Sequence, residues 1–175
     1  MAAGMLKWAR GGAMPDFTDL IPVLVLLGAA SGVTGSHRRA AEVAAKLESP
    51  EFAPAMVEIL DCGEESLRKV AIESLRKSLP MVKGSASPFD DRQQRLLALE
   101  AMRQGDVDFA ELCLVALGRF GGPKVLVELD QVAEGSFKAK GPSSDRLLVA
   151  ARMAAAEIRR RTARAVVGST AFQVD

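Results

Sequence analysis

The chain has 175 residues, 49% of them apolar and 26% charged, with a formal net charge of +1. This size and balance indicate a folded domain or short array with a real core and exclude a disordered chain. The small net charge gives no global field that would attract nucleic acid or an anionic membrane. Only 5% of residues are aromatic, so Leu, Val, Ala and Met must build the core, which favours helices. Cys62 and Cys113 lie far apart without a Cys-x-x-Cys pair, as is typical of thiols in a reducing compartment.

The amino-terminal segment combines a leader with a short apolar run. We expect residues 1–15 to form a flexible leader, and residues 20–33 resemble a signal or anchor, so export or membrane association is the alternative to a cytoplasmic location. Asp16 and Asp19 stand where a signal would not place acids. The run is also shorter than the ~20 residues of a membrane helix. We therefore expect a cytoplasmic protein.

Apolar residues spaced by three and four positions predict a series of short helices separated by Gly and Pro breaks. The predicted helices are 16–27, 36–47, 52–60, 64–79, 92–104, 108–120, 125–132 and 145–165. Gly121-Gly122-Pro123 predicts a corner in which Gly ends one helix and Pro begins the next. Residues 83–91 and 135–144 are predicted to be polar loops.

The predicted helices form four successive helix-turn-helix units. When the second helices of the units are superposed, one position is occupied by Ala41, Ala71, Cys113 and Ala151. A second position, four residues later, is occupied by Ala45, Leu75, Leu117 and Ala155. A small residue at the first position lets neighbouring helices approach, and the second position fills the seam. The intervals of about 30 to 42 residues lie near the period of two-helix solenoid repeats.

These segments resemble HEAT-like repeats of the type common in bacterial HEAT-repeat domain proteins. The second-helix pattern of an apolar residue and Arg, two free positions and then Ala is matched by Leu67, Arg68 and Ala71. Ala110 and Leu148 depart from it, since Arg is expected at those positions. The resemblance implies an all-α fold, a short α-solenoid of about four repeats over residues 16–166, with a frayed tail at 167–175. It also implies a protein-protein interaction scaffold without catalytic residues.

Two alternatives to the scaffold remain open. Residues 23–47 are similar to the opening of a short-chain dehydrogenase, in which a strand, a glycine-rich turn and a helix N-terminus hold a pyrophosphate. Gly35 comes one residue too late for that pattern, and the chain has no Tyr for the family's Tyr–Lys pair. A nucleotide-binding α/β domain is thus the first alternative. The second is a nucleic-acid-binding helical repeat, based on the cluster Arg159, Arg160, Arg161 and Arg164.

The residues that could carry catalysis or bind metal have simpler explanations. His37 is the only histidine, and it cannot make a metal site or a Ser–His–Asp triad without distant partners. The acids around Cys62 lack the pattern of a calcium loop and suit the N-terminus of a helix. Cys113 lies on an apolar face and is interpreted as a packing residue. We therefore expect no enzymatic activity, no cofactor and no metal.

The superposition also predicts a binding surface, because the second helices of such solenoids line the concave side. Exposed apolar residues are expected at Val115, Val149 and Met153, between the third and fourth repeats. Lys69, Arg76 and Arg119 would flank this row and favour an acidic amphipathic helix or peptide from another protein. The open alternative is that the predicted loops cover the row, or that it is an ordinary scatter of surface apolar residues.

Overall fold

The computed structural model describes residues 42, 46, 50–61, 65–82, 87–103, 105–135 and 142–170. Within these ranges the chain is helical and contains no strand, which confirms the all-α prediction. The predicted leader, the apolar run at 20–33, His37, Cys62 and nearly all of the dehydrogenase-like segment lie outside the described residues. The chain divides into two compact units, Met1–Ser78 and Leu79–Asp175.

The helices of the described residues match the predicted series closely from residue 52 onward. They are α1 (Ala53–Ile59), α2 (Glu65–Ser78), α3 (Asp91–Met102), α4 (Val107–Phe120), α5 (Leu126–Ala133) and α6 (Pro142–Thr170). Short 3-10 turns occupy Pro50–Phe52, Leu79–Met81 and Pro123–Val125. The main difference is α6, which is longer at both ends than the predicted 145–165. Pro142 begins it because the first turn of a helix does not need the missing N–H group.

In the first unit, α1 and α2 pack against each other around a small apolar core. Their buried apolar side chains include Phe52, Met56, Val57, Ile59, Leu67 and Leu75. On α2 the apolar residues recur at helical spacing, and Lys69 and Arg76 lie on its exposed side. This helix is therefore amphipathic, as predicted.

Side-chain caps fix where α3 and α4 begin. The Asp90 carboxylate accepts a hydrogen bond from the Gln93 backbone N–H at 2.8 Å, and the Gln93 side chain accepts one from the Asp90 N–H at 3.1 Å. This reciprocal pair is a capping box. Asp106 caps α4 by accepting a hydrogen bond from the Phe109 N–H at 3.1 Å. Both caps satisfy backbone donors that the first turn of a helix leaves without partners.

Buried Gln94 connects the beginning of α3 with the corner after α4. Its Nε2 donates a hydrogen bond to the Phe89 carbonyl at 2.9 Å, and its Oε1 accepts one from the Gly122 N–H at 2.7 Å. The Phe89 and Phe120 rings stack beside it with centroids 4.8 Å apart. Because the beginning of α3 meets the end of α4, these two helices are antiparallel.

The corner at Gly121-Gly122-Pro123 forms as predicted, although the role of its first glycine differs. Gly121 has φ −62°, a value that any residue can adopt, so the corner does not require the left-handed conformation there. A Cβ at Gly121 would instead lie 2.5 Å from the Leu117 carbonyl oxygen and 2.9 Å from Ile158 Cδ1. Glycine is needed mainly because the Leu117 carbonyl of α4 occupies the space that a Cβ would take, and the Ile158 side chain of α6 adds to the crowding.

Two ion pairs show that α3 and α5 are parallel. Lys124 Nζ lies 2.6 Å from the Asp91 carboxylate, a pair separated by 33 positions in the chain. Arg95 and Glu128, at 3.1 Å, have the same separation one turn further along both helices. A constant separation means that the two helices advance in the same direction and in register.

The contacts of α6 give its direction relative to both neighbours. Arg146 contacts Asp108 near the beginning of α4, and Arg161 contacts the Gly121 carbonyl beyond its end, so α4 and α6 are parallel. Arg159 binds the Asp130 carboxylate, with separations of 2.6 and 2.8 Å, so the later part of α6 lies beside the middle of α5. Arg152, earlier on α6, donates a hydrogen bond to the carbonyl of Ala133, later on α5. Thus α5 and α6 are antiparallel.

The second unit is therefore two antiparallel hairpins, α3–α4 and α5–α6, stacked with α3 beside α5 and α4 beside α6. In an up-and-down bundle, parallel helices stand on the diagonal. Here the parallel helices α4 and α6 pack directly. The core between the layers is built mainly from Leu97, Phe109, Leu114, Leu117, Leu129, Leu147 and Ile158.

Truncation of a core leucine tests this arrangement. Leu75 and Leu117 are fully buried, so Leu75→Ala and Leu117→Ala should each lower the free energy of unfolding by about 2–5 kcal/mol. Val127 is exposed, and Val127→Ala is the control, with an expected loss below about 0.5 kcal/mol. Urea denaturation followed by circular dichroism measures all three. A Leu117→Ala chain as stable as the control would contradict the placement of α4 in the core.

Candidate functional site

An open groove of about 830 Å³ lies between α4 and the first half of α6. We call it the α4–α6 groove, and all residues that line it belong to the second unit. The groove forms because α4 and α6 are parallel, so that their exposed faces lie side by side along the length over which they pack.

The structure brings together the three apolar residues that the repeat superposition selected. Val115 on α4 and Val149 and Met153 on α6 all line the groove, with 51%, 55% and 68% of their surface exposed. Other large exposed apolar side chains of the described residues, such as Val127 and Leu99, lie outside the groove. The predicted row is therefore a contiguous feature of one surface.

Small residues form the floor of the groove and set its depth. Gly118, Ala150 and Ala154 lie there, all buried. A Cβ at Gly118 would lie 3.2 Å from the Ala154 Cα and 3.5 Å from its Cβ. The absence of a side chain at Gly118 thus allows the two helices to approach closely, and their larger apolar side chains remain on the rim.

One end of the groove is held by Arg146. Its guanidinium donates hydrogen bonds to Asp108, at 3.1 Å, and to Glu111. The hydrogen bond to Glu111 and the charge of that carboxylate raise the pKa of Arg146 above its ordinary value. Asp145, in the first turn of α6, also lines this end. The result is an ion-paired connection between the beginnings of α4 and α6.

The opposite end of the groove is basic, and its arginines contact backbone carbonyls. Arg119 donates hydrogen bonds to the carbonyls of Val82 at 3.0 Å and Pro80 at 3.3 Å. Arg161 donates to the carbonyls of Gly121, at 2.7 Å, and Arg119. Arg119 therefore lies on the rim as predicted. Its guanidinium also binds the backbone at Pro80 and Val82, in the segment that precedes α3.

The same end carries one carboxylate, Glu157, paired with Arg160. The Arg160 guanidinium donates a hydrogen bond to Glu157 at 2.8 Å. This hydrogen bond lowers the pKa of Glu157 below its ordinary value, and the charge of Arg160 acts in the same direction. Glu157 is thus ionised at neutral pH and offsets part of the positive charge around it.

Lys69 and Arg76 belong to the first unit. Both lie on the exposed side of α2 in the first unit, and neither lines the groove. Of the predicted site residues, the structure therefore brings four together, Val115, Val149, Met153 and Arg119.

Sequence reasoning did not identify the residues that shape the groove. The Arg146 connection to Asp108 and Glu111 joins residues more than 30 positions apart, and no local pattern predicts it. Gly118 gave the clearest available signal, because a glycine inside a helix costs about 1 kcal/mol and usually marks a close approach.

The described residues contain neither a cluster of metal ligands nor a helix that could span a membrane. No group of three or more His, Cys, Asp or Glu side chains within the described ranges could hold a metal ion. None of the helices described is both long and apolar enough to cross a bilayer. Cys113 is a fully buried thiol, in agreement with the interpretation that it is a packing residue.

Comparison with known proteins finds no match for this chain among protein-family profiles, curated proteins or solved structures. The resemblance to HEAT-like repeats therefore rests on the sequence pattern alone.

Enlarging the floor of the groove tests the close approach of α4 and α6. Gly118→Leu should lower the free energy of unfolding by about 1–3 kcal/mol, because the new side chain would force the helices apart. A Cβ at Gly105 would have no atom within 4 Å, so Gly105→Leu is the control, with an expected change within about 0.5 kcal/mol. Thermal and urea denaturation compare the two variants. Equal stabilities would show that Gly118 does not lie at a helix contact.

Proposed function

We propose that the chain is a short α-solenoid of about four HEAT-like repeats that acts as a non-catalytic protein-protein interaction scaffold. The observation that carries this proposal is the α4–α6 groove, where Val115, Val149 and Met153 stand exposed above a floor of small residues. The proposal places the repeats in one region, residues 16–166, in a cytoplasmic protein without cofactor or metal.

The burial of superposed residues supports the repeats. Ala71, Cys113 and Ala151, which share the first superposed position, are all fully buried. The second position is buried in Leu75, Leu117 and Ala155. Two residues before this second position, the three helices carry Glu73, Val115 and Met153, and all three side chains are exposed. Equivalent positions thus have equivalent burial, as stacked repeats require.

The directions of the helices give independent support. In a two-helix solenoid, first helices stack on first helices and second helices on second helices, all in parallel. In the second unit α3 is parallel to α5 and α4 is parallel to α6, and each layer makes direct contacts. This pattern agrees with two successive repeats, with the α4–α6 groove on the side of the second helices.

The dimensions of the groove suit a helical partner. The lining extends along α6 from Asp145 to Glu157, a length of about 18 Å or three helical turns. An amphipathic helix could lay its apolar face against the apolar rim, which is a recurring mode of peptide recognition. The expected preference for an acidic partner has no support in the lining. Neither Lys69 nor Arg76 is among the lining residues, and the lining contains more carboxylates than guanidinium groups.

The two alternative functions are less well supported. A nucleotide-binding α/β domain needs a parallel sheet, and the described residues contain no strand, so such a site would depend on the segment outside them. The arginine cluster proposed for nucleic acid makes internal contacts. Arg159 binds Asp130, Arg160 binds Glu157 and Arg161 binds backbone carbonyls.

The double variant Val115→Glu/Met153→Glu tests the binding surface. Both side chains are exposed, so the variant should keep the melting temperature of the wild type within a few degrees, as surface substitutions usually do. It should lose the partners that the wild-type chain retains in affinity capture with mass spectrometry, because buried carboxylates oppose an apolar contact. Val127→Glu, at an exposed valine outside the groove, is the matched control and should retain them.

Two results would contradict the proposal. Unfolding of the double variant would show that the row belongs to the core. Undiminished capture by a folded double variant would place the binding surface elsewhere.

A further inference from the structure

We infer that the α4–α6 groove binds a second copy of this chain. The grooves of the two copies face each other and run antiparallel across a two-fold axis. This inference rests on the proposed function, since it takes the groove to be a protein-binding surface and names the partner. It follows from the distribution of charge along the groove and from the shape of its centre.

The two ends of the groove carry opposite charge among the described side chains. Around the beginnings of α4 and α6 there are three carboxylates and one cation: Asp108, Glu111, Asp145 and Arg146. At the other end Arg119 and Glu157 line the groove, and the guanidinium groups of Arg160, Arg161 and Arg164 lie near Glu157, so this end has four cations and one carboxylate. Because α4 and α6 are parallel, both helices contribute to the same polarity.

This charge distribution is self-complementary in a dimer whose two-fold axis is perpendicular to the long direction of the groove. Rotation about such an axis reverses the groove, so the acidic end of one copy faces the basic end of the other. A parallel pairing would place like charges together at both ends, which opposes association. The net charge of +1 adds little general repulsion between copies. Electrostatics thus favours a second copy in one defined orientation.

The centre of the groove supplies both the protrusion and the recess that an isologous contact needs. Met153 is the most exposed of the apolar lining residues, and its unbranched side chain adapts to irregular gaps. The floor beside it, at Gly118 and Ala154, is open above small residues. Met153 of each copy can therefore enter the recess of the other. Three apolar side chains per copy make a small contact, so the dimer should be reversible.

Sedimentation velocity of the full chain across the micromolar range tests the dimer. The wild type should show a monomer–dimer equilibrium, and Met153→Glu should weaken dimerisation by at least about tenfold, because the carboxylate would enter an apolar recess. Val127→Glu adds the same charge outside the groove and should dimerise like the wild type. A monomeric wild type, or a dimer that Met153→Glu leaves intact, would overturn the inference.

Charge reversal tests the orientation. An acidic-end variant, Asp108→Lys/Asp145→Lys, and a basic-end variant, Arg160→Glu/Arg164→Glu, should each dimerise at least about tenfold more weakly, since like charges would meet. The two variants mixed together should regain a heterodimer, and a chain with all four substitutions should regain the homodimer. Circular dichroism confirms that each variant is folded. Folded variants that fail to recover on mixing would overturn the antiparallel arrangement.

The outcome also separates this inference from the proposed function. The chain could be monomeric while Val115→Glu/Met153→Glu still abolishes capture of another protein. In that case the groove binds that protein, the inference of a dimer is wrong and the proposed function stands. If the groove variants change neither dimerisation nor capture, the groove is not a binding surface and both proposals fail.

Discussion

The second unit depends on the close approach of Gly118 on α4 to Ala154 on α6. Even a methyl group at Gly118 would lie only 3.2 Å from the Ala154 backbone, so a larger residue would separate the two helices. Arg146 connects their beginnings and Arg161 connects their later parts, which keeps the helices in register. The floor of the groove, the exposure of its rim and the polarity of its ends all follow from this one parallel contact.

The second constraint is Gln94, which joins the two ends of the α3–α4 hairpin. Its side-chain amide satisfies backbone groups on the loop before α3 and on the corner after α4. A buried side chain that makes both hydrogen bonds fixes the corner in one conformation, whereas an unpaired buried amide would be costly. Ile158 of α6 packs next to Gly121 in this corner. The α3–α4 hairpin therefore positions α6, which forms the second wall of the groove.

Most helices, and the apolar part of the groove, could be predicted from the sequence because they depend on local periodicity. Leu67, Ala71 and Leu75 share one face of α2, and the superposition of Leu75, Leu117 and Ala155 selected Val115 and Met153 as exposed residues. The extra length of α6 was missed because Pro142 and two serines suggest a loop. The pairing of Arg146 and the backbone contacts of Arg119 depend on which helices become neighbours, and periodicity carries no information about that.

The most direct test of the parallel α4–α6 contact is a nuclear Overhauser effect measurement on the isotopically labelled chain. Cross-peaks are expected between the Gly118 α-protons and the Ala154 methyl group, and between the Gly121 α-protons and the Ile158 δ-methyl group. Together they would show α4 and α6 in contact and advancing in the same direction. Absence of both cross-peaks, with Gly118 instead close to protons of α3 or α5, would contradict the stacked arrangement and remove the groove.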